Sequence, residues 1–170
     1  MVIQDYRRTD LRLKTGGDPF WVSSRAIDAR EQLGLRDKLC VVFSFPEADQ
    51  QIIVREVVVH VMREFNAGVT LEVGHYTLTH NGVESGDTAV QVRDDTFVEL
   101  DDIDLTKVGF YYPTKGEFVS ARGSGATIEG GNLIVGAENN VPAVTLLFKE
   151  NEVFSGQVRL LLLVSLVPGS

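Results

Sequence analysis

Cysteine and long hydrophobic runs are both scarce in this sequence of 170 residues. Cys40 is the single cysteine, so no intramolecular disulfide can form, and its apolar neighbours predict a buried structural thiol rather than a nucleophile. One cysteine also fits synthesis in a reducing cytoplasm. No apolar stretch reaches the ~20 residues that a membrane-spanning helix needs, and the N-terminus lacks the apolar region of a signal peptide. We therefore expect a soluble protein with no membrane partner.

Basic residues are outnumbered, with 16 lysines and arginines against 24 acidic residues and a formal net charge of −8. Proteins that bind the phosphate backbone of nucleic acids cluster lysine and arginine on one surface. The acidic balance therefore excludes nucleic acid as the expected partner. Its simplest role is to keep the protein soluble.

Recognisable catalytic motifs are also missing. The three histidines, His60, His75 and His80, lack the spacing of a cupin metal site, and no glycine segment matches a phosphate loop, a dinucleotide fingerprint or a nucleophile elbow. The acidic stretch 94–104 could offer oxygen ligands to Ca²⁺, but it lacks the EF-hand pattern, and a solvated loop is the preferred interpretation. We expect no enzyme activity, no catalytic residues, no cofactor and no metal.

What the sequence does contain is a series of short β-strand patterns separated by glycine-rich turns. The pattern predicts an all-β protein, an antiparallel and jelly-roll-like β-sandwich with an N-terminal arm and one short helix. The helix is predicted at residues 25–33, with a serine cap before it and Gly34 as its stop. Residues 1–38 would form the arm and helix, and residues 39–170 the sandwich domain. A hairpin is expected at 66–68 and another at Asn81-Gly82.

The last strand is the most hydrophobic part of the chain. Residues 160–164 are uninterrupted apolar residues between a Ser-Gly turn signal and Pro168. Such a run predicts a strand buried on both faces in the middle of a sheet. Its predicted partner is the segment 52–65, where alternation places Val57, Val59, Val61 and Phe65 on one face and Glu56, His60 and Glu64 on the other.

Two aromatic residues stand at the end of the N-terminal arm. Phe20 and Trp21 follow Pro19 in an extended segment and could anchor the arm in a pocket of a neighbouring subunit. Packing against the protein's own sheet is the equally weighted alternative. The consecutive aromatics Phe110, Tyr111 and Tyr112 should point to alternate sides of a strand, which argues against a platform for stacking bases.

The order of features in the latter two thirds of the chain supports a resemblance. The strand 53–59 leads through 65–74, the acidic segment 101–106 precedes an aromatic strand, residues 134–135 follow, and the chain closes on the strand within 155–165 and then Pro168. This order resembles β-sandwich virion proteins of tailed bacteriophages, and the closing pattern is similar to that of head decoration, or cement, proteins. The first fifty residues lie outside the resemblance.

The resemblance implies a structural role and brings no catalytic residues. It implies a capsid decoration protein that stabilises the head by binding between capsomers, with a homo-oligomer, expected to be a trimer, contacting the major capsid protein or other virion proteins. The protein would be made in the host cytoplasm and located on the capsid surface of the virion. A tail, neck or fibre-attachment component is the alternative within the structural class. A carbohydrate-binding β-sandwich module is the alternative from another class.

Overall fold

The computed structural model describes residues 3–7, 19–31, 34–44, 51–79, 88–98, 103–112, 126–128, 131–135 and 140–166. This part of the chain contains strands and turns and no helix. The strands are β1 (Ile3–Asp5), β2 (Phe20–Ser23), β3 (Ile27–Asp28), β4 (Leu39–Ser44), β5 (Gln51–Arg63), β6 (Thr70–Thr79), β7 (Thr88–Val98), β8 (Gly109–Tyr111), β9 (Ala126–Ile128), β10 (Gly131–Val135), β11 (Asn140–Lys149) and β12 (Gln157–Leu166). In the described part, no helix is of a length and hydrophobicity that would cross a membrane.

The strands form two sheets. Sheet 1 has the order β1-β4-β11-β6-β7, and sheet 2 has the order β2-β12-β5-β10-β9, with β3 also pairing with β12 and β8 with β5. All these pairings are antiparallel except that of β1 with β4. The predicted all-β sandwich is confirmed, and its jelly-roll topology stays a prediction.

The last strand lies inside sheet 2, as predicted. β12 pairs with β5 along ten positions from Gln157 to Leu166, and its other edge pairs with β2 and β3. The predicted partner segment is therefore confirmed. The expectation of burial on both faces needs correction, because Val158, Leu160, Leu162 and Val164 are buried whereas the outward Leu161 and Leu163 are half-buried. Helices or a third layer would be needed to bury both faces of the strand.

The hydrophobic core lies between the sheets. Sheet 1 contributes Val73, Phe97 and Phe148, and sheet 2 contributes Val59 and Leu160. The Phe65 ring, just after β5, stacks on the Phe148 ring of β11 at a centroid distance of 5.4 Å. Both rings are buried, so they join the two sheets at this end of the sandwich.

The predicted short helix is wrong. Ile27 and Asp28 form β3, and a turn follows, with the Glu31 amide donating to the carbonyl of Asp28 at 3.1 Å. Ile27 and Ala29 are buried, while Asp28 between them is half-buried, which is the alternation of a strand. A helix of two and a half turns is marginal by itself, so pairing with β12 outweighs the local capping signals.

Strands from the N-terminal segment are members of the two sheets. β1 is hydrogen-bonded beside β4, while β2 and β3 are hydrogen-bonded beside β12. The Ser24 hydroxyl also accepts a hydrogen bond from the Leu160 amide at 2.9 Å. The division predicted at residues 38 and 39 stays a prediction, because these pairings do not say which part folds alone.

The turn at Asn66-Ala67-Gly68 connects the two sheets instead of closing a hairpin. β5 belongs to sheet 2 and β6 to sheet 1, so the hairpin predicted here is wrong. β6 and β7 are antiparallel neighbours, as the Asn81-Gly82 signal predicts, although those two residues lie outside the described part.

Gly156 occupies a position that excludes any side chain. Its φ is +118°, in a region that L-residues rarely adopt, and an ideal Cβ would lie 2.3 Å from Cγ of Phe65. The Gly156 carbonyl accepts a hydrogen bond from the Ala29 amide at 2.9 Å. The glycine therefore lets the start of β12 lie against the Phe65 ring and the end of β3.

Gly156→Ala should destabilise the fold strongly. The methyl group would strain the backbone and displace the buried Phe65 ring, so we expect a loss of about 3 kcal/mol or more, measured by urea unfolding. Gly34→Ala is the control, because φ at Gly34 is +75° and the nearest atom to its Cβ is the flexible Lys38 Nζ at 3.4 Å. We expect Gly34→Ala to lose about 1 kcal/mol. Equal losses in the two variants would contradict this account of Gly156.

Asp28→Asn should remove a pH-dependent contribution to stability. Hydrogen bonds from the backbone and side chain of Arg30, and then from the side chain of Arg63, lower the pKa of Asp28 to about 2. Since the folded pKa lies below the unfolded value of about 3.9, the carboxylate stabilises the fold above pH ~4. This contribution is lost as the pH falls to ~2. Urea unfolding of both proteins between pH 6 and pH 2 should show the difference between them shrinking on acidification, and a constant difference would refute it.

Candidate functional site

The outward surface of sheet 2 carries a row of exposed aromatic side chains. Residues directly opposite each other in an antiparallel pair share one face, so Trp21 on β2 lies beside Leu163 on β12. On the other side of β12, β5 pairs His60 with Phe110 of β8. We call this surface the aromatic face; its members are Trp21, Ser23, Leu161, Leu163, Arg159, Val58, His60, Met62, Phe110 and Tyr112.

The face differs from the corresponding surface of sheet 1. On sheet 1, the outward residues Leu39 and Val41 of β4 and Leu147 of β11 are buried. On sheet 2, Trp21 and Phe110 are 52% and 53% exposed. Large exposed apolar residues are thus concentrated on one side of the sandwich within the described part. Contiguous patches of this kind mark interaction surfaces more often than scattered single residues do.

The two aromatic residues predicted as partner contacts point in opposite directions. Phe20 is buried in the core, whereas Trp21 projects from the aromatic face. Alternation along β2 explains the difference, because successive side chains of a strand lie on opposite faces. Any contact with a partner therefore falls to Trp21, and Phe20 positions β2 from inside. The partner-binding role itself stays a prediction.

His60 is held in place by two neighbours on the face. Arg159 Nε donates a hydrogen bond to His60 Nδ1 at 2.9 Å, and the imidazole stacks on the Phe110 ring at a centroid distance of 3.9 Å and an interplanar angle of 13°. Arginine is always a donor, so Nδ1 must be unprotonated and the neutral ring carries its proton on Nε2. Burial and then the Arg159 charge hold the pKa of His60 below its usual value of 6.5.

The three consecutive aromatics at the end of β8 alternate as predicted, with Tyr112 just after the strand. Phe110 and Tyr112 are exposed, while Tyr111 is half-buried against the core. The Tyr111 hydroxyl donates toward two backbone carbonyls, of Lys107 at 2.7 Å and Asp104 at 3.0 Å. Tyr111 therefore fixes the short strand that presents its two exposed neighbours.

Two register shifts in the β5–β12 ladder place charged side chains on the same face. At one shift, Arg55 donates a hydrogen bond to the Ser165 hydroxyl at 2.8 Å, beside Glu56. At the other shift, Arg63 forms an ion pair with Asp28 at 3.1 Å across β12. A β-bulge puts an extra residue on one strand and redirects its side chain. The bulges thus add arginines to a surface that would otherwise be mainly apolar.

A loop held by tertiary hydrogen bonds precedes β12, the strand that carries Leu161 and Leu163 of the aromatic face. It spans residues 150–155 between β11 and β12, and Phe154 at its tip is 64% exposed. Asn66 holds it from the opposite loop: its Nδ2 donates to the Glu152 carbonyl at 2.8 Å and its Oδ1 accepts from the Phe154 amide at 2.9 Å. Asn151 Nδ2 donates in return to the Ala67 carbonyl at 2.9 Å. We call residues 150–155 the Phe154 loop.

The other predicted candidates lie apart from this surface. Cys40 is buried in the core, and burial raises the pKa of its thiol to about 12, so it stays protonated at neutral pH. His75 is buried on β6, and His80 lies outside the described residues. Asp104 caps a turn by accepting from the Thr106 amide at 3.0 Å. Across the described ranges, no group of three or more His, Cys, Asp or Glu residues could hold a metal ion.

The fold has a counterpart in a bacteriophage particle. A chain in the structure described as the capsid of Ralstonia phage GP4 superposes with a TM-score of 0.57 and 11% sequence identity. The alignment covers 98% of this chain and 100% of that chain. No family model matches the sequence, and no curated protein matches it. The class that these findings define is a β-sandwich with the fold of a phage capsid chain.

The long-range contacts of this face were outside the reach of sequence reasoning. Arg159 and His60 are 99 positions apart, and their hydrogen bond depends on the register of β5 against β12. The sequence predicts that Phe110 and Tyr112 share one side of the chain and that Tyr111 lies on the other. It does not predict which of the two sides faces solvent. The Phe154 loop had no signal beyond a single aromatic residue among turn residues.

Replacing Arg159 should change the titration of His60. In the native protein, NMR should give a His60 pKa below 6.5. Because the folded pKa is lowered, this group makes the fold less stable as the pH falls below ~6.5. Arg159→Met should raise the pKa while leaving it below 6.5, since burial is the larger cause. Arg55→Met, which alters an arginine bonded to Ser165 instead, should leave the titration unchanged. A native midpoint at or above 6.5 would disprove the arrangement.

Proposed function

We propose that this protein is a structural virion protein of a tailed phage, and specifically a capsid decoration protein. It would bind between capsomers on the capsid surface, stabilise the head, and contact the major capsid protein. We expect it to act as a homo-oligomer, with a trimer as the expected state, after synthesis in the host cytoplasm. The proposal assigns it no catalytic step and no cofactor.

The observation that carries the proposal is the likeness to a chain of a phage capsid, which covers 98% of this chain and 100% of that chain. A shared fold alone leaves function open, so the surface matters as well. The aromatic face presents Trp21 and Phe110 from strands whose inner sides are packed against the core, and Tyr112 from the residue just after β8. Rigid aromatic residues of this kind dominate the binding energy of protein interfaces. The net charge of −8 suits a component that stays away from the packaged genome.

The same face supports a second candidate function. Carbohydrate-binding sandwiches stack sugar rings on exposed aromatics, and Trp21 and Tyr112 on one surface would suit that use. A glycan array of the purified protein separates the two candidates, because specific sugar binding that is lost in Tyr112→Ser would favour the carbohydrate module. A location in the tail, neck or fibre attachment remains the alternative within the structural class.

Binding to phage heads tests the proposal directly. Heads of the phage that encodes this protein, assembled from a genome lacking its gene, should bind the purified protein at a fixed ratio in a sedimentation assay. Decorated heads should also withstand heating better than bare heads, because a protein that binds only the assembled shell stabilises it. Binding to purified tails instead of heads would indicate that the protein is a tail component. Binding to neither particle would end the virion assignment.

A further inference from the structure

We propose that the Phe154 loop of one copy docks on the aromatic face of the next copy. The contact joins two different surfaces of the same chain, so it is heterologous. It deepens the proposed assembly role and rests on that role for its biological setting. Its test uses the purified protein alone, so it can fail while head binding succeeds, and the reverse.

The Phe154 loop is already in a binding-ready conformation. Its backbone is held at Glu152 and Phe154 by Asn66, and Val153 between them is buried in the core. Glu150, at its start, adopts a left-handed conformation with φ of 73°. Little conformational entropy is then lost on docking, which is the main advantage of a preorganised contact. The aromatic ring that these contacts hold outward is the anchor.

The aromatic face supplies the receiving surface. Trp21, Phe110 and Tyr112 are 52%, 53% and 67% exposed, which at roughly 200 Å² per aromatic side chain amounts to about 350 Å² of apolar surface. Leu161 and Leu163 lie between these aromatics as a half-buried apolar strip. An inserted ring would find apolar neighbours on several sides there. A patch of this size is at the scale of functional patches on monomers.

The charge of the aromatic face is compatible with an acidic partner segment. The face carries Arg55, Arg63 and Arg159, opposed by Asp28 and Glu56, with the exposed Glu64 just beyond the end of β5. It is therefore near balance, within a chain whose net charge is −8.

The Phe154 loop, by contrast, is acidic. Glu150 and Glu152 are exposed on either side of Asn151, and Arg36 offsets one of them through an ion pair to Glu152 at 3.4 Å. Two such loops would repel each other, whereas the near-balanced aromatic face would not repel an acidic loop. Docking of the loop on the face instead places the loop carboxylates near Arg159. The hydrogen bond from Arg159 to His60 uses one of the five N–H donors of the arginine.

The positions of the two surfaces allow each copy to contact two neighbours. The loop lies at the end of the sandwich where β12 begins, and the face runs along the side of the same strand. One copy can therefore offer its loop to one neighbour and its face to another. Heterologous contacts close into rings when the rotation between copies permits, and the expected trimer is a small ring of this type.

The experiment measures mass by size exclusion with light scattering for the native protein, Phe154→Ser and Trp21→Thr. The native protein should be an oligomer, and each variant should raise the dissociation constant at least tenfold, giving monomers of 18.7 kDa. Thermal unfolding confirms that the variants fold, since both side chains are exposed. Glu152→Lys should also weaken assembly, whereas Asp5→Lys, an equal change of charge on the edge strand of sheet 1, should leave it intact.

Mixing the two variants gives the decisive result. Phe154→Ser keeps an intact face and Trp21→Thr keeps an intact loop, so an equimolar mixture should form a pair with one chain of each, at twice 18.7 kDa. A contact between two identical faces would instead leave Phe154→Ser oligomeric by itself, and a contact between two identical loops would leave Trp21→Thr oligomeric. Either outcome, a mixture that stays monomeric, or a native protein that is monomeric at all concentrations tested, would overturn the proposal.

Discussion

The ladder between β5 and β12 is the constraint on which the rest of the structure depends. Residues 160–163 are all leucine, so the middle of β12 does not choose a face for the core, while Arg159 and Ser165 near its ends mark the outward side. β5 reinforces that choice, because Val59 and Val61 alternate with the hydrogen-bonded His60. A slip of one residue would turn polar groups into the core. The register that β5 imposes also fixes the aromatic face, since it decides that Leu161 and Leu163 point outward.

Turn chemistry explains why some elements were predictable from sequence and others were not. β4, β5 and β12 were found because their apolar patterns are long and bounded by clear turn signals. The segment 25–33 has a good cap and a good stop for a helix, yet its alternating burial at Ile27 and Ala29 comes from pairing with β12, a partner about 130 positions away. Local signals cannot report such a partner. Likewise Asn-Ala-Gly at 66–68 serves equally well for a hairpin and for a crossing between sheets.

The sequence predicts only part of the candidate surface, because local patterns do not report which face of a strand is exposed. Trp21 was singled out because a tryptophan in an extended segment is rare and large, and the structure places it on the outside. Phe20 is also a large aromatic residue of this segment, but it lies in the core. Alternation predicts that neighbouring residues of a strand lie on opposite faces, without saying which face is inside. The sequence around Asn66 predicts only a turn, whereas the Asn66 side chain accepts a hydrogen bond from the Phe154 amide, 88 positions later. Tertiary hydrogen bonds of this kind produce no periodic pattern in the amino-acid sequence.

The outward leucines of β12 connect the fold to assembly. A strand with apolar residues on both faces is typical of a sheet covered on both sides. Sheet 2 is covered by sheet 1 on one side, and on the other side Leu161 and Leu163 are half-buried among their neighbours on the face. Keeping such residues outward in a chain with a net charge of −8 is unfavourable for an isolated protein in water. The cost falls if a second molecule covers the strip. The mismatch between a doubly apolar strand and a singly covered sheet is therefore the physical reason to look for a partner on this face.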